Sequence, residues 1–363
     1  MKKNHINIDL RLTGGRLFAE VLYGIAIKYK FKIIIVGRIT SYTSSFFAVL
    51  KECLQDHAEF IETEEEETAI NSAIDASYHG ALAVLLLSSH GIQKIIEGLM
   101  KAILSELPLL IINIQHYFAL TDISQQVIQT DLEQICYGGY DGLSVPIMAF
   151  NKGENQIKMI IASIEIAFQF MTPVVILVNM PSLLETYSVA PRQLESIVLK
   201  NRIFYSFYRK WYLPASKQSQ YLYHINKNQL SQELKYYRTK FNEIAKINQL
   251  YSLEGDRSAT YGLISWGSTD IIAETIFKRL LSYDLSFCHI HLKLVHPIPK
   301  KVISIVQSMK QLFIIELNTG QLARLIRIKT FIPIELIAQM NGDMFNEDDV
   351  IDFIRNKILP AES

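Results

Sequence analysis

Cysteine is scarce in this chain, and the three that occur, Cys53, Cys136 and Cys288, lie far apart. None shows the CxxC or Cys/His spacing that clamps zinc or an iron–sulfur cluster, which argues against a disulfide framework or a cluster site within the chain. Net charge is missing too: 36 Lys plus Arg balance 36 Asp plus Glu, so no overall field draws the protein to nucleic acid or anionic lipid. No apolar run approaches the ~18 residues of a membrane span, and Met1 to Leu12 lack the apolar core of a signal peptide. These absences point to a cytoplasmic protein without a membrane partner. Walker spacing and the GxGxxG fingerprint are also absent, so Gly14-Gly15-Arg16 reads as a turn before a helix from Leu17 to Lys28.

What is present is 363 residues, 49% of them hydrophobic, enough for about two globular domains. From Phe31 to Met180 short β-rich runs alternate with stretches of helical period, the pattern of βα units wound into a parallel sheet. Strands are expected at Lys32 to Val36, Ala81 to Leu87, Leu109 to Ile114, Leu143 to Ala149 and Val174 to Val178. Lys200 to Leu250 holds ten Lys or Arg, two acids and eleven aromatics, and reads as a basic aromatic connector. Such a segment could stack bases, but packing against a domain or a subunit interface is the commoner use, and nucleic acid is not expected as a partner. Alternation resumes with strands at Tyr261 to Ser265, Leu285 to Leu292, Leu312 to Glu316 and Phe331 to Leu336, then a closing helix after Glu347. His289 and His291 alternate in one of these strands without a carboxylate at metal-ligand spacing, so no metal site is expected there.

The run Glu64-Glu65-Glu66-Glu67 opens a predicted helix. Thr63 with Glu66 three residues on has the form of a capping box, and acids in a first turn complement the helix dipole. Alternatively one carboxylate points inward, where desolvation raises its pKa and lets it share a proton with a heterocycle nitrogen. The residues alone leave both readings open.

Taken in order, several segments resemble the α subunits of 2-oxoacid:ferredoxin oxidoreductases, the 2-oxoglutarate type above all. Glu64 to Ser77 is similar to the family's A-E-D-E-I-A-A-I-N-M-A-I-G-A-S, and Ile39-Thr40 falls on its Y-P-I-T-P-S-S. Ser88-Ser89-His90-Gly91 falls on S-G-P-G, Gln115-His116 on the start of Q-R-G-G-P-S-T-G, and Gln129-Thr130-Asp131-Leu132 on Q-S-D-L. Further along, Trp266-Gly267-Ser268-Thr269, Glu316-Leu317-Asn318 and Gly320-Gln321-Leu322-Ala323 resemble W-G-S-T, V-E-x-N and G-Q-L-A.

The resemblance implies an α/β protein with a thiamine diphosphate pyrimidine-binding domain at 1–190, the connector at 191–257 and a transketolase C-terminal-like domain at 258–363. It implies that Glu66 is the catalytic glutamate that hydrogen-bonds N1' of the aminopyrimidine. Ser89 and Gly91 would line the cofactor, and Thr40 and His116 would flank the substrate. Mg²⁺, the diphosphate site and a [4Fe–4S] cluster are expected on a separate β subunit, because G-D-G followed by Asn is absent here; Gly342-Asp343 is followed by Met. The implied reaction is decarboxylation of a 2-oxoacid to an acyl-CoA, with electrons passing to ferredoxin. Departures cluster at the substrate loops. The family's Tyr-Pro is Gly37-Arg38, S-G-P-G has lost a Gly and its Pro, and His116 stands where an arginine would meet the oxoacid carboxylate. A non-catalytic scaffold or regulatory relative is therefore the alternative.

Overall fold

The computed structural model describes residues 10–116, 128–139, 143–150, 154–189, 227–283 and 285–358. Ile33-Ile34-Ile35-Val36 and Leu109-Leu110-Ile111-Ile112 are apolar without a break, the composition of strands covered on both faces. Around them the chain forms β1 (Leu10–Thr13), α1 (Gly14–Tyr29), β2 (Ile33–Arg38), α2 (Ser44–Leu54), β3 (Ala58–Thr63), α3 (Glu66–Tyr78), β4 (Leu82–Ser88) and α4 (Ser89–Lys94). There follow α5 (Ile96–Leu104), β5 (Leu109–Gln115), α6 (Leu132–Tyr137), β6 (Ile147–Ala149), α7 (Glu154–Phe170), β7 (Pro173–Asn179), α8 (Met180–Leu184) and β8 (Thr186–Val189). Beyond residue 226 come α9 (Lys227–Ile244), β9 (Tyr251–Gly255), β10 (Tyr261–Trp266), α10 (Asp270–Leu281), β11 (Phe287–Leu292) and β12 (Leu294–His296). The last elements are α11 (Lys300–Gln307), β13 (Gln311–Glu316), α12 (Gln321–Thr330), β14 (Ile334–Ala338) and α13 (Glu347–Ile358).

Seven strands make the first sheet, in the order β12-β6-β7-β5-β4-β2-β3, with β12 the antiparallel member. The second sheet is β14-β13-β10-β11-β9, with β9 antiparallel. This is the expected α/β architecture, and it puts a topological switch point at β2: the chain leaves β2 for β3 on one side, then returns to β4 on the other. Ligands of such sheets bind beyond the strand C-termini at that point.

The two layers are joined through shared apolar packing. One buried cluster runs from Ile34, Ala69 and Leu85 in the first layer to Trp266, Ile290 and Ile314 in the second. A polar joint lies beside it. Gln129 accepts the Leu317 N–H at 2.9 Å and donates to the Trp266 carbonyl, while its own carbonyl accepts from Asn318 Nδ2 at 2.7 Å. Gln321 spans Thr130 O (2.5 Å) and Glu133 N (3.1 Å). Glu316, fully buried, accepts the Leu322 and Ala323 N–H groups at 2.9 Å each and so caps α12. Four of the segments singled out in the sequence thus meet in one place.

Several boundaries differ from expectation. The strand expected over Leu143 to Ala149 is confined to Ile147–Ala149, and β14 starts at Ile334 because Phe331 closes α12 in the left-handed region (φ 57°) and Pro333 follows it. Gly14 and Gly15 are the first turn of α1, not a turn before it. Thr13 Oγ1 caps that helix from Arg16 N–H, and a Cβ on Gly14 would come to 2.1 Å from the Ser182 carbonyl. In the connector, the stretch before Lys227 lies outside the described residues. The remainder begins with α9, anchored on the first layer by Tyr237 Oη donating to Ile103 O (2.9 Å) and by Lys240 paired with Glu106 (2.8 Å).

Candidate active site

Parallel strands β2, β4 and β5 end at Arg38, Ser88 and Gln115, and the site residues expected from the sequence stand in the loops just beyond. Register brings them there: β2 lies between β3 and β4, and β4 pairs with β5.

Glu66 is the first residue of α3 and is 4% exposed, whereas Glu64, Glu65 and Glu67 face solvent. The capping box is not formed. Thr63 ends strand β3, its hydroxyl donates to Glu65 O at 3.0 Å, and the N-cap position is Glu65, which makes no side-chain cap. Freed from capping, the Glu66 carboxylate turns inward, with one cation on each oxygen. Arg38 Nη1 lies 3.0 Å from Oε1 and Lys94 Nζ 3.1 Å from Oε2. Burial alone pushes this carboxyl up, but the hydrogen bonds from Lys94 and Arg38 outweigh it and hold the group below the ordinary glutamate range. An inward carboxylate is found, then, but as a stabilised ion instead of a group with a raised pKa.

The other expected residues stand beyond β2, β4 and β5 of the same first layer. Ser89 Oγ donates to Asp131 Oδ2 at 2.6 Å and accepts the His116 N–H at 3.0 Å; Asn113 Nδ2 donates to the same Asp131 oxygen at 2.6 Å. Asp131 is deeply buried, which pushes its carboxyl up against the pull of these donors. The His116 imidazole, 3% exposed, stacks on Tyr42 with centroids 3.5 Å apart and planes 7° off parallel, and its Nε2 is 3.3 Å from His90 Nδ1. Thr40 is locked in a turn, its N–H on Thr43 Oγ1 (2.9 Å) while Thr43 Oγ1 donates to Arg38 O (2.8 Å). Gly91 lies against Glu66, where a Cβ would approach its Cγ to 3.1 Å.

Arg38, Lys94, Tyr42, His90 and Asp131 were not assigned roles from the sequence. Arg38 was visible only as a departure, and Asp131 as the acid of Gln129-Thr130-Asp131-Leu132. Nothing in local spacing marks Lys94, which reaches Glu66 from another helix. In the second layer, Ser265 Oγ contacts His289 Nε2 (2.8 Å) and His291 Nδ1 (3.0 Å), and Asp270 Oδ1 is 2.9 Å from His291 Nδ1. No group of three or more His, Cys, Asp or Glu among the described residues is arranged to hold a metal ion. No helix among them is long and apolar enough to cross a membrane.

A parallel α/β sheet with a buried helix-start glutamate beyond its switch point defines the class. The family described as pyruvate flavodoxin/ferredoxin oxidoreductase, thiamine diphosphate-binding, matches residues 39–251, more than half of the chain, and the chain belongs to it. Among curated relatives, the 2-oxoglutarate oxidoreductase subunit KorA of Mycobacterium tuberculosis is 24% identical over 322 residues, covering 81% of this chain and 49% of that protein. The 2-oxoglutarate synthase subunit KorA of Archaeoglobus fulgidus is 23% identical over 273 residues, 73% of this chain and 76% of the relative. The chain thus spans about half the length of the M. tuberculosis relative. Its fold is that of the 2-oxoglutarate:ferredoxin oxidoreductase of Magnetococcus marinus, solved with 2-oxoglutarate, coenzyme A and succinyl-CoA bound. That likeness has a TM-score of 0.84 at 18% identity and covers 97% of this chain and 66% of the other.

A pyrimidine nitrogen at Glu66 would need a lone pair that its carboxylate has not already given to another donor. A carboxylate offers about four lone-pair positions, and Arg38, Lys94 and the Glu66 backbone take up part of them here. Gly91, lacking a Cβ, lets α4 pack closely against the Glu66 side chain, where a Cβ would stand 3.1 Å from its Cγ.

Proposed function

We propose that this chain is the α subunit of a cytoplasmic 2-oxoacid:ferredoxin oxidoreductase acting on 2-oxoglutarate. A β subunit would bring Mg²⁺, the diphosphate site and a [4Fe–4S] cluster, with coenzyme A and ferredoxin as the other reactants. The observation that carries this reading is that, of four consecutive glutamates, only Glu66 is buried. Bound thiamine diphosphate supplies the carbanion chemistry of decarboxylation. Glu66 would accept the hydrogen bond of the pyrimidine N1' and hold it in the tautomer that activates the thiazolium. Ser89 and Gly91, in the first turn of α4, would line that group. Thr40 and His116 flank the oxoacid, with Tyr42 the ring that must yield for the His116 imidazole to meet it.

A second reading is a non-catalytic scaffold relative, and the cation on each Glu66 oxygen favours it. Glu66→Gln, assayed in complex with the β subunit, separates the two. The enzyme reading expects intact assembly and turnover lower by ~10²-fold or more, the scale of losing a positioned acid–base group, while Glu64→Gln, Glu65→Gln and Glu67→Gln stay close to wild type. Four variants that behave alike would remove Glu66 from the chemistry. A wild-type complex without turnover would leave the scaffold reading.

A further inference from the structure

Glu66 has one counter-charge more than it needs. A single carboxylate, 5% exposed in its side chain, faces two cations that are themselves 41% and 48% exposed, so the trio carries a net charge of +1 beyond the C-terminal ends of β2 and β4. Glu64 and Glu65 act on Arg38 more weakly, from positions in solvent where their field is screened.

The two cations are not equivalent. Lys94 is a point charge, whereas Arg38 carries a planar fork of five donors that matches a carboxylate edge-on. Among the described residues Glu66 is the hydrogen-bond partner of that fork, through one nitrogen. The backbone of Arg38 is fixed by its β2 pairing and by the Thr43 hydroxyl on its carbonyl, so only the side chain has to turn. When it turns away, Lys94 remains on Glu66, and no buried charge is left uncompensated.

We infer that Arg38 is the recognition residue for the carboxylate of an incoming organic acid, exchanging its single bond to Glu66 for a two-point pairing with the ligand. The identity of that ligand as an oxoacid rests on the function proposed above; the exchange itself does not. Arg38 would thereby supply the carboxylate contact at a position different from His116, and ligand entry would also loosen the hold on Glu66.

The test is calorimetric titration of the full chain with 2-oxoglutarate, and with succinate as a dicarboxylate that cannot react, for wild type, Arg38→Gln, Arg38→Lys and Glu66→Gln, each checked for folding by circular dichroism. Arg38→Gln should weaken both ligands by about 10-fold or more, the scale of a charge-assisted pair, and Arg38→Lys should fall between. Glu66→Gln should tighten them several-fold, because it removes the negative charge that competes for Arg38 and leaves only a neutral amide oxygen. Unchanged affinity in Arg38→Gln, absence of tightening in Glu66→Gln, or no wild-type binding at millimolar ligand would each overturn the inference. Should Arg38→Gln not fold, Arg38→Lys decides by the same sign. These signs are read without turnover, so a complex that proves inactive refutes the proposed function and leaves this test standing.

Discussion

Replacing Gln129 should weaken the whole chain although the residue touches no candidate substrate contact. Its side chain is 1% exposed and lies between the two layers, accepting from Leu317 N and donating to Trp266 O. In Gln129→Ala the Leu317 N–H loses its side-chain acceptor inside the protein, a cost of ~1–3 kcal/mol for a buried unsatisfied donor. The Trp266 carbonyl keeps a partner, Thr269 Oγ1 at 2.9 Å, and adds little. Lost packing of the removed atoms contributes about 1 kcal/mol more. The total is ~2–4 kcal/mol, a large part of the stability of an ordinary domain. Gln129→Met keeps the shape and should cost only the hydrogen-bond part, so Met falls between wild type and Ala. Urea unfolding followed by circular dichroism and by fluorescence measures the series. A Gln129→Ala loss below about 0.5 kcal/mol would mean that water replaces the amide without penalty, and the joint would not hold the layers together.

Three further outcomes follow from the same packing logic. Gly320 sits at φ +89° with Leu336 Cδ2 only 2.7 Å from where a Cβ would stand, so Gly320→Ala should cost ~1–3 kcal/mol by thermal unfolding; a neutral result would mean that Leu336 yields freely. His289 is 2% exposed, and burial, opposed by Asp270 and reinforced by His291, pulls its pKa down to about 4. As pH falls through the unfolded value of ~6.5 the unfolded chain takes the proton first, so stability present above that pH is lost on the way to the folded value, by up to ~3 kcal/mol. Urea midpoints at several pH values should show this slope shallower in His289→Gln, and an unchanged slope would clear His289. Lys240, paired with the half-exposed Glu106, should tolerate Met within about 1 kcal/mol in denaturant titrations, because its burial already opposes the charge, whereas a loss above 3 kcal/mol would show the pair to be stabilising.

Strands buried on both faces were legible because a continuous apolar run has few other uses, and β2, β4, β5 and β7 appear within a residue or two of their expected bounds. Edges were not. The Ala58–Thr63 strand carries an exposed glutamate on each face, Glu59 and Glu62, and the Leu294–His296 strand is three residues long and joins a sheet whose other members lie more than a hundred residues earlier. The inward turn of Glu66 followed from the family register, while helix-start chemistry pointed outward. Capping preferences describe a helix end in water; here the expected cap, Thr63, is held in β3, and the cations that draw Glu66 inward come from positions 28 residues away on either side. No local pattern encodes a pair at that separation.

The same limit explains why the segments most useful for the resemblance were the least informative about roles. Trp266-Gly267-Ser268-Thr269, Glu316-Leu317-Asn318 and Gly320-Gln321-Leu322-Ala323 contribute nothing to the crevice directly; they make the socket that receives Gln129. Two residues further along the chain, Asp131 takes up Ser89 and Asn113, and Ser89 in turn receives the His116 N–H. The second layer is therefore connected to Ser89 and His116 through three consecutive residues, 129 to 131, each held by hydrogen bonds of its own. A carboxyl group as buried as Asp131 is stabilised only while its donors, Ser89 and Asn113, stay in place.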